Sequence, residues 1–153
     1  MRQASTIVVA ATLVALIGCG GDTTGPAKPN GVAMSARIDD AAWSAVSVAT
    51  DSAPPSLLVL SGTNATATLT LVIPMGPGLG TQVVGSTTPI AAGLVKGGQS
   101  WMASRTQGGA GSITLTTVAP GHVAGTFEFA LAAHDGASPA TQPVTAGAFD
   151  VRY

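Results

Sequence analysis

The sequence predicts an all-β domain, and three observations carry the prediction. Apolar and polar residues alternate with a period of two in several short runs, which is the pattern of half-buried strands. Gly (20 residues) and Pro (10 residues) punctuate these runs, as in strands joined by tight turns. Charged residues, which include the helix formers Glu and Lys, are only 8% of the chain. We therefore expect an antiparallel β-sandwich or flattened barrel of about eight or nine short strands, preceded by an N-terminal signal helix.

Residues 1–18 have the features of a bacterial export signal. A short basic segment at residues 1–3 precedes an apolar run at residues 7–17, which is too short to span a membrane as a stop-transfer helix. The run ends in Leu16-Ile17-Gly18-Cys19, which resembles the bacterial lipobox. That resemblance implies cleavage before Cys19 and attachment of lipid, such as palmitate, to its thiol. An ordinary secreted protein with a buried Cys is the alternative, but Cys19 is the only cysteine in the chain.

Three segments follow from this interpretation. Residues 1–18 are a lipoprotein signal peptide, and residues 19–31 are a flexible tether because they are rich in Gly, Pro and polar residues without apolar periodicity. Residues 32–153 are long enough for one β domain. Among lipoproteins, Asp directly after the lipidated Cys favours retention in the inner membrane, whereas this chain has Gly20. The resemblance therefore implies outer-membrane sorting, with membrane lipid as the partner through Cys19.

The first half of the domain opens with Met34, Ala36 and Ile38, which alternate with polar neighbours. Residues 39–42 predict a turn, so this strand and the run that starts at Trp43 should form a hairpin. The expected strands of this half cover residues 33–38, 43–50, 57–60 and 68–73.

The second half contains two weaker strands, near residues 87–95 and 99–105, and then a clear hairpin about Pro120-Gly121. Residues 133–143 are expected to form a polar loop before a last strand at residues 144–153. The aromatic residues on the inward parity of these strands should pack in the core. They are Trp43, Phe127, Phe129, Phe149 and Tyr153.

Three blocks of the domain together resemble a family of uncharacterised bacterial lipoproteins with a single all-β domain of unknown function. The blocks are Met34-Ser35-Ala36-Arg37-Ile38-Asp39-Asp40-Ala41-Ala42-Trp43, Gly125-Thr126-Phe127-Glu128-Phe129 and Val144-Thr145-Ala146-Gly147-Ala148-Phe149-Asp150-Val151-Arg152-Tyr153. The family usually has Asp-Gly in the first turn, where this chain has Asp39-Asp40. The resemblance implies the fold and the envelope location, and it implies no activity.

The chemistry-bearing residues are few. A net charge of −1 gives no basic surface for nucleic acid, and no catalytic or nucleotide-binding motif is present. No set of residues has the spacing of a metal or cofactor site. A small secreted-type hydrolase would have to use His122 or His134 as its base. Trp101 is either a core residue or an exposed platform that stacks against a sugar, as in a carbohydrate-binding module.

The function expected from these observations is a lipid-anchored cell-envelope lipoprotein. Its β domain should be a non-catalytic binding or structural module, with an envelope protein or a glycan as a possible partner. The domain should lie in the periplasm or on the cell surface.

Overall fold

The structure is a computed structural model that describes residues 32–52, 57–85, 87 and 89–153. The predicted signal peptide, Cys19 and the tether lie outside these residues. In the described ranges the chain is all-β, as predicted, with 11 strands and no helix. The strands are β1 Val32–Ile38, β2 Ala41–Ser44, β3 Ser47–Asp51, β4 Leu57–Thr63, β5 Ala67–Pro74, β6 Gly80–Val83, β7 Ala91–Lys96, β8 Gln99–Ala103, β9 Ala110–Ala119, β10 His122–His134 and β11 Thr141–Arg152.

All strand pairs are antiparallel, and the sheet curls until its two ends meet. The order of hydrogen-bonded neighbours is β2-β1-β11-β10-β8-β7-β5-β4-β3. The end strands β2 and β3 are consecutive halves of one bent strand. At the bend, the Ala45 N–H donates to Met34 O of β1 at 2.9 Å and the Val46 N–H donates to Thr63 O of β4 at 2.8 Å. Of the two predicted architectures, the flattened barrel is therefore the closer description.

Two further strand paths are interrupted in the same way. β8 and β9 both pair with β10, one after the other, with Ala103 and Ala110 at the two sides of the break. β6 pairs with β9 and β7 pairs with β8, so β6 and β7 also follow one path. Joining the three interrupted pairs reduces the 11 strands to eight paths. The sequence prediction of about eight or nine strands took residues 43–50 as one strand and missed β6, which accounts for the difference from 11.

The inward parity of the strands forms one apolar core, as the alternation predicted. Trp43, Phe127, Phe129 and Phe149 are each 4% exposed or less. Tyr153 is a correction, because it is 45% exposed. It follows the last residue of β11, and although its backbone N–H donates to Gly121 O at 3.0 Å, its side chain lies past the end of the sheet.

Several strand boundaries also differ from the expected ones: residues 41–42 belong to β2 instead of a turn, and β7 begins at Ala91 instead of residue 87. β4 continues through Thr63, where a turn was expected from Ser61. The expected loop at residues 133–143 shortens to residues 135–140, because β10 extends to His134 and β11 begins at Thr141. Thr63 and Thr141 are exposed at these positions, so the solvated face of a strand resembled a loop in the sequence, whereas Gln142 is buried.

Because neighbouring strands are antiparallel, the turns between them lie at two opposite ends of the closed sheet. The Asp39 end carries the turns at residues 39–40, 64–66 and 97–98 and the loop at residues 135–140. The Val32 end carries the first described residue, the turn at Gly121 and the end of β11. Both residues of the first turn have positive φ, 51° at Asp39 and 59° at Asp40. The turn therefore has the type I′ geometry of a two-residue hairpin, although it lacks the usual Gly.

Candidate functional site

A polar network spans the Asp39 end of the closed sheet. Asp39, in the β1–β2 turn, accepts a hydrogen bond from Lys96 Nζ at Oδ2 over 2.7 Å. Its other oxygen, Oδ1, accepts one from Gln142 Nε2 over 2.5 Å. Lys96 ends β7 and Gln142 lies near the start of β11, so the three side chains connect three separate parts of the ring. Gln142 is 1% exposed, and a polar side chain buried this deeply needs such a partner.

The network changes the acidity of Asp39. The hydrogen bond from Lys96, and after it the one from Gln142, holds the pKa of the Asp39 carboxyl below its ordinary value of 3.8. Partial desolvation acts in the opposite direction and is the smaller effect. Asp39 is therefore a carboxylate at neutral pH, and it holds the Lys96 ammonium at the mouth of the sheet.

A cavity of about 230 Å³ lies beside this network. Its walls come from the β1–β2 hairpin, from the β4–β5 turn and from Lys96. The apolar part consists of Ile38, Ala41, Ala42 and Ala67, and the polar part consists of Trp43, Thr66 and Lys96. The three alanines leave space that larger side chains would fill.

Trp43 is buried in the wall of this cavity, and its indole N–H makes no hydrogen bond there. The residue is 4% exposed, and its Nε1 has no hydrogen-bond partner among the residues that the structure describes. An indole N–H can only donate, so it requires an acceptor. A buried donor without one costs about 1–3 kcal/mol. The Asp39 end therefore combines a cavity with a donor that the described part of the fold leaves unsatisfied.

Trp101 is a core residue, and the expectation that it offers an exposed platform to a sugar is wrong. The side chain is 3% exposed, and its Nε1 donates to Pro139 O over 2.7 Å. It lies on β8 opposite Leu94 of β7, inside the closed sheet. The ring faces are therefore covered by protein, which leaves no surface for stacking.

The two histidines lie at opposite ends of the molecule. His122 Nε2 is 2.9 Å from Asp150 Oδ1 at the Val32 end. His134 Nε2 is 3.2 Å from Asp135 Oδ2 at the Asp39 end. No Ser or Thr hydroxyl in the described ranges forms a hydrogen bond with either imidazole. Ser100 pairs with His134 across β8 and β10, and both residues line a cavity of about 170 Å³.

The described part of the chain lacks two other features that would indicate a function. It contains no group of three or more His, Cys, Asp or Glu side chains placed to hold a metal ion. None of its elements is a helix long and apolar enough to cross a membrane. Cys19, the expected lipidation site, lies outside the described residues.

The sequence did not predict the Asp39 network, since its members are 57 and 103 residues apart. One signal was present. Lys96 continues the inward parity of Ala92 and Leu94, where a strand that only fills a core would carry an apolar residue. Its significance depends on the turn at residues 97–98, which places it at the mouth of the sheet.

Comparison with known proteins identifies a family for the domain. A family model described as a domain of unknown function (DUF6252) matches residues 30–150. No curated protein and no solved structure matches the chain. The match covers most of the 153 residues and nearly all of the closed sheet. The chain therefore belongs to the DUF6252 family.

Proposed function

We propose that the chain is a lipid-anchored lipoprotein of the cell envelope whose β domain is a non-catalytic binding or structural module. The observation that carries the proposal is the sequence Leu16-Ile17-Gly18-Cys19 directly after an apolar run, with Cys19 the only cysteine. Lipid on this thiol would anchor the protein durably, because more than one acyl chain gives stable membrane attachment. Gly20 favours the outer membrane as the location.

The position of Val32 in the fold supports this role. The described chain starts at Val32, which pairs with Val151 near the end of β11. A tether that enters at the Val32 end would direct the Asp39 end, with its cavity and polar network, away from the membrane surface. A partner or ligand in the surrounding space would then have access to that end.

The anchor is tested by replacing the lipid acceptor. The full chain and its Cys19→Ser variant are expressed in a bacterium fed a fatty-acid probe, and both are partitioned into a detergent phase. We expect the full chain to carry the probe and enter the detergent phase, and the variant to do neither. Gly20→Asp is the matched control, because it should keep the label and change only the membrane in which the protein is found. Unchanged labelling of Cys19→Ser would overturn the proposal.

A hydrolase is a second candidate, and one observation favours it. Ser100, His134 and Asp135 line one cavity, which brings a hydroxyl, an imidazole and a carboxylate together. A fluorophosphonate probe, which labels activated serines, distinguishes the two candidates. We expect no labelling of the full chain. Labelling that disappears in both Ser100→Ala and His134→Ala would establish a reactive serine and contradict the non-catalytic role.

A further inference from the structure

The cavity at the Asp39 end has one accessible polar group with donor capacity to spare, the Lys96 ammonium. The Lys96 ammonium carries three N–H donors, and one of them is bonded to Asp39 in the described ranges. Its side chain is 39% exposed, so the ammonium is within reach of a solute. The Trp43 indole N–H also lacks a partner there, but its nitrogen is buried, so it is not offered to a solute. The Lys96 ammonium therefore favours a ligand that supplies an acceptor, preferably with negative charge.

The remaining surface of the cavity favours a short apolar body. Ile38, Ala41, Ala42 and Ala67 contribute most of its wall. At about 230 Å³ the cavity is smaller than the roughly 300–1,000 Å³ of sites that hold drug-sized ligands. The mouth of a closed sheet is also one of the places where ligand sites commonly form.

We propose that this cavity binds a small monocarboxylate with a short aliphatic chain. The carboxylate pairs with the Lys96 ammonium at the rim, and the aliphatic chain packs against Ile38 and the three alanines. Asp39 is the internal competitor, because its own carboxylate already accepts from Lys96 Nζ at 2.7 Å. The inference deepens the proposed binding role by naming a ligand class, and it does not depend on lipid at Cys19.

The competition by Asp39 predicts opposite effects for two substitutions. Lys96→Met removes the ammonium but keeps an apolar stem of similar length, so carboxylate binding should weaken. Asp39→Asn removes the competing negative charge and leaves the ammonium available, so binding should strengthen. A role for the network in folding alone would not make a ligand bind more tightly to Asp39→Asn.

The experiment follows the indole N–H resonances of the ¹⁵N-labelled full chain in detergent micelles, a sample that needs no lipid on Cys19, with empty micelles as the blank. Hexanoate is the probe, and 1-hexanol is its uncharged counterpart. The two tryptophans serve as reporter and control, since Trp43 lines the cavity and the Trp101 N–H is bonded to Pro139 O. We expect hexanoate to shift the Trp43 resonance saturably, with a dissociation constant on the order of 1 mM, and to leave Trp101 unchanged.

The variants complete the test. We expect about tenfold weaker hexanoate binding in Lys96→Met, or about 1.4 kcal/mol, and severalfold tighter binding in Asp39→Asn. Arg105→Gln removes a positive charge elsewhere on the surface and should change nothing. Ala67→Leu should fill the cavity and abolish the shift while the protein stays folded, and 1-hexanol should bind equally to the wild type and Lys96→Met.

Two results would overturn the inference. One is a Trp43 resonance that hexanoate does not shift in the folded wild type. The other is a shift of equal affinity in the wild type, Lys96→Met and Asp39→Asn. Failure here is distinct from failure of the anchor, because fatty-acid labelling of Cys19 reports only on the tether and the Trp43 resonance reports only on the cavity.

Discussion

The ammonium of Lys96 lies 2.7 Å from Asp39 Oδ2, although 57 residues separate the two in the chain. One group belongs to the first turn of the domain and the other to the end of β7. The contact therefore fixes the β1–β2 hairpin against the opposite wall of the closed sheet. Gln142 completes the arrangement from β11, so a single carboxylate connects three strand paths.

This contact predicts a pH-dependent contribution to stability. The pKa of Asp39 is lower in the folded protein than its ordinary value of 3.8. The stabilisation is therefore fully present above that value and is lost as the pH falls through the lowered pKa. At neutral pH, Lys96→Met should lower the free energy of unfolding. The loss should be less than about 1 kcal/mol, because the Lys96 and Asp39 side chains are both more than a third exposed. Melting curves measured in acid should converge, and a gap that stays constant down to about pH 2 would contradict this explanation.

The alternation in β10 predicts a sharp contrast between neighbours. Phe129 is 4% exposed in the core, whereas Glu128 faces outward. Phe129→Ala should lower the free energy of unfolding by about 3–5 kcal/mol, and Glu128→Ala should change it by no more than about 0.5 kcal/mol. Denaturant titration of both variants gives the comparison. Equal losses would mean that the register of β10 is displaced by one residue.

The first turn should become more stable with glycine. Asp40 has φ of 59°, a left-handed conformation that glycine adopts without steric cost. Asp40→Gly should therefore raise the free energy of unfolding by roughly 0.5–1 kcal/mol, since Asp-Gly is favoured in type I′ turns. Asp39→Gly is the matched control, because it relieves a similar φ of 51° but removes the carboxylate that binds Lys96 and Gln142. If both variants gained equally, the Asp39 network would contribute nothing to stability.

Replacing glycine by alanine should have different effects on stability at two strand positions. A Cβ built on Gly147 would lie 2.4 Å from the ring of Phe127, whereas a Cβ on Gly93 would meet nothing within 4 Å. Gly147→Ala should destabilise the domain by about 1–3 kcal/mol, as overpacking does. Gly93→Ala should leave stability unchanged or raise it by about 0.5–1 kcal/mol, because it removes glycine from a strand interior. Thermal melts of the two single variants give the comparison. A neutral Gly147→Ala would mean that β11 does not pack against Phe127 as described.

Local patterns in the sequence were sufficient to predict the fold class and most of the core. Alternation identified Met34, Phe127 and Phe129 as inward-facing, because a half-buried strand repeats every two residues regardless of its partners. The same rule misplaced Tyr153, since parity does not say where a sheet ends. The sequence also left the choice between a sandwich and a flattened barrel open, because closure depends on the backbone bonds that Ala45 and Val46 make at the bend.

The candidate site was less predictable than the core for a related reason. Asp39 could be placed in a turn from its neighbours, but its partners Lys96 and Gln142 come from distant strands. Trp101 and Trp43 illustrate the same limit, since both were expected in strands and only the three-dimensional arrangement shows that one indole N–H is bonded and the other is not. Long-range pairing decides which polar groups meet, and no local pattern encodes it.

The intact mass of the protein purified from bacterial membranes shows whether the β domain is carried on a lipidated Cys19. We expect a chain that begins at Cys19 and carries added mass equal to a diacylglyceryl group and further acylation, all of it on the N-terminal peptide. An unmodified N-terminal peptide, or a chain that begins at any other residue, would contradict the proposal.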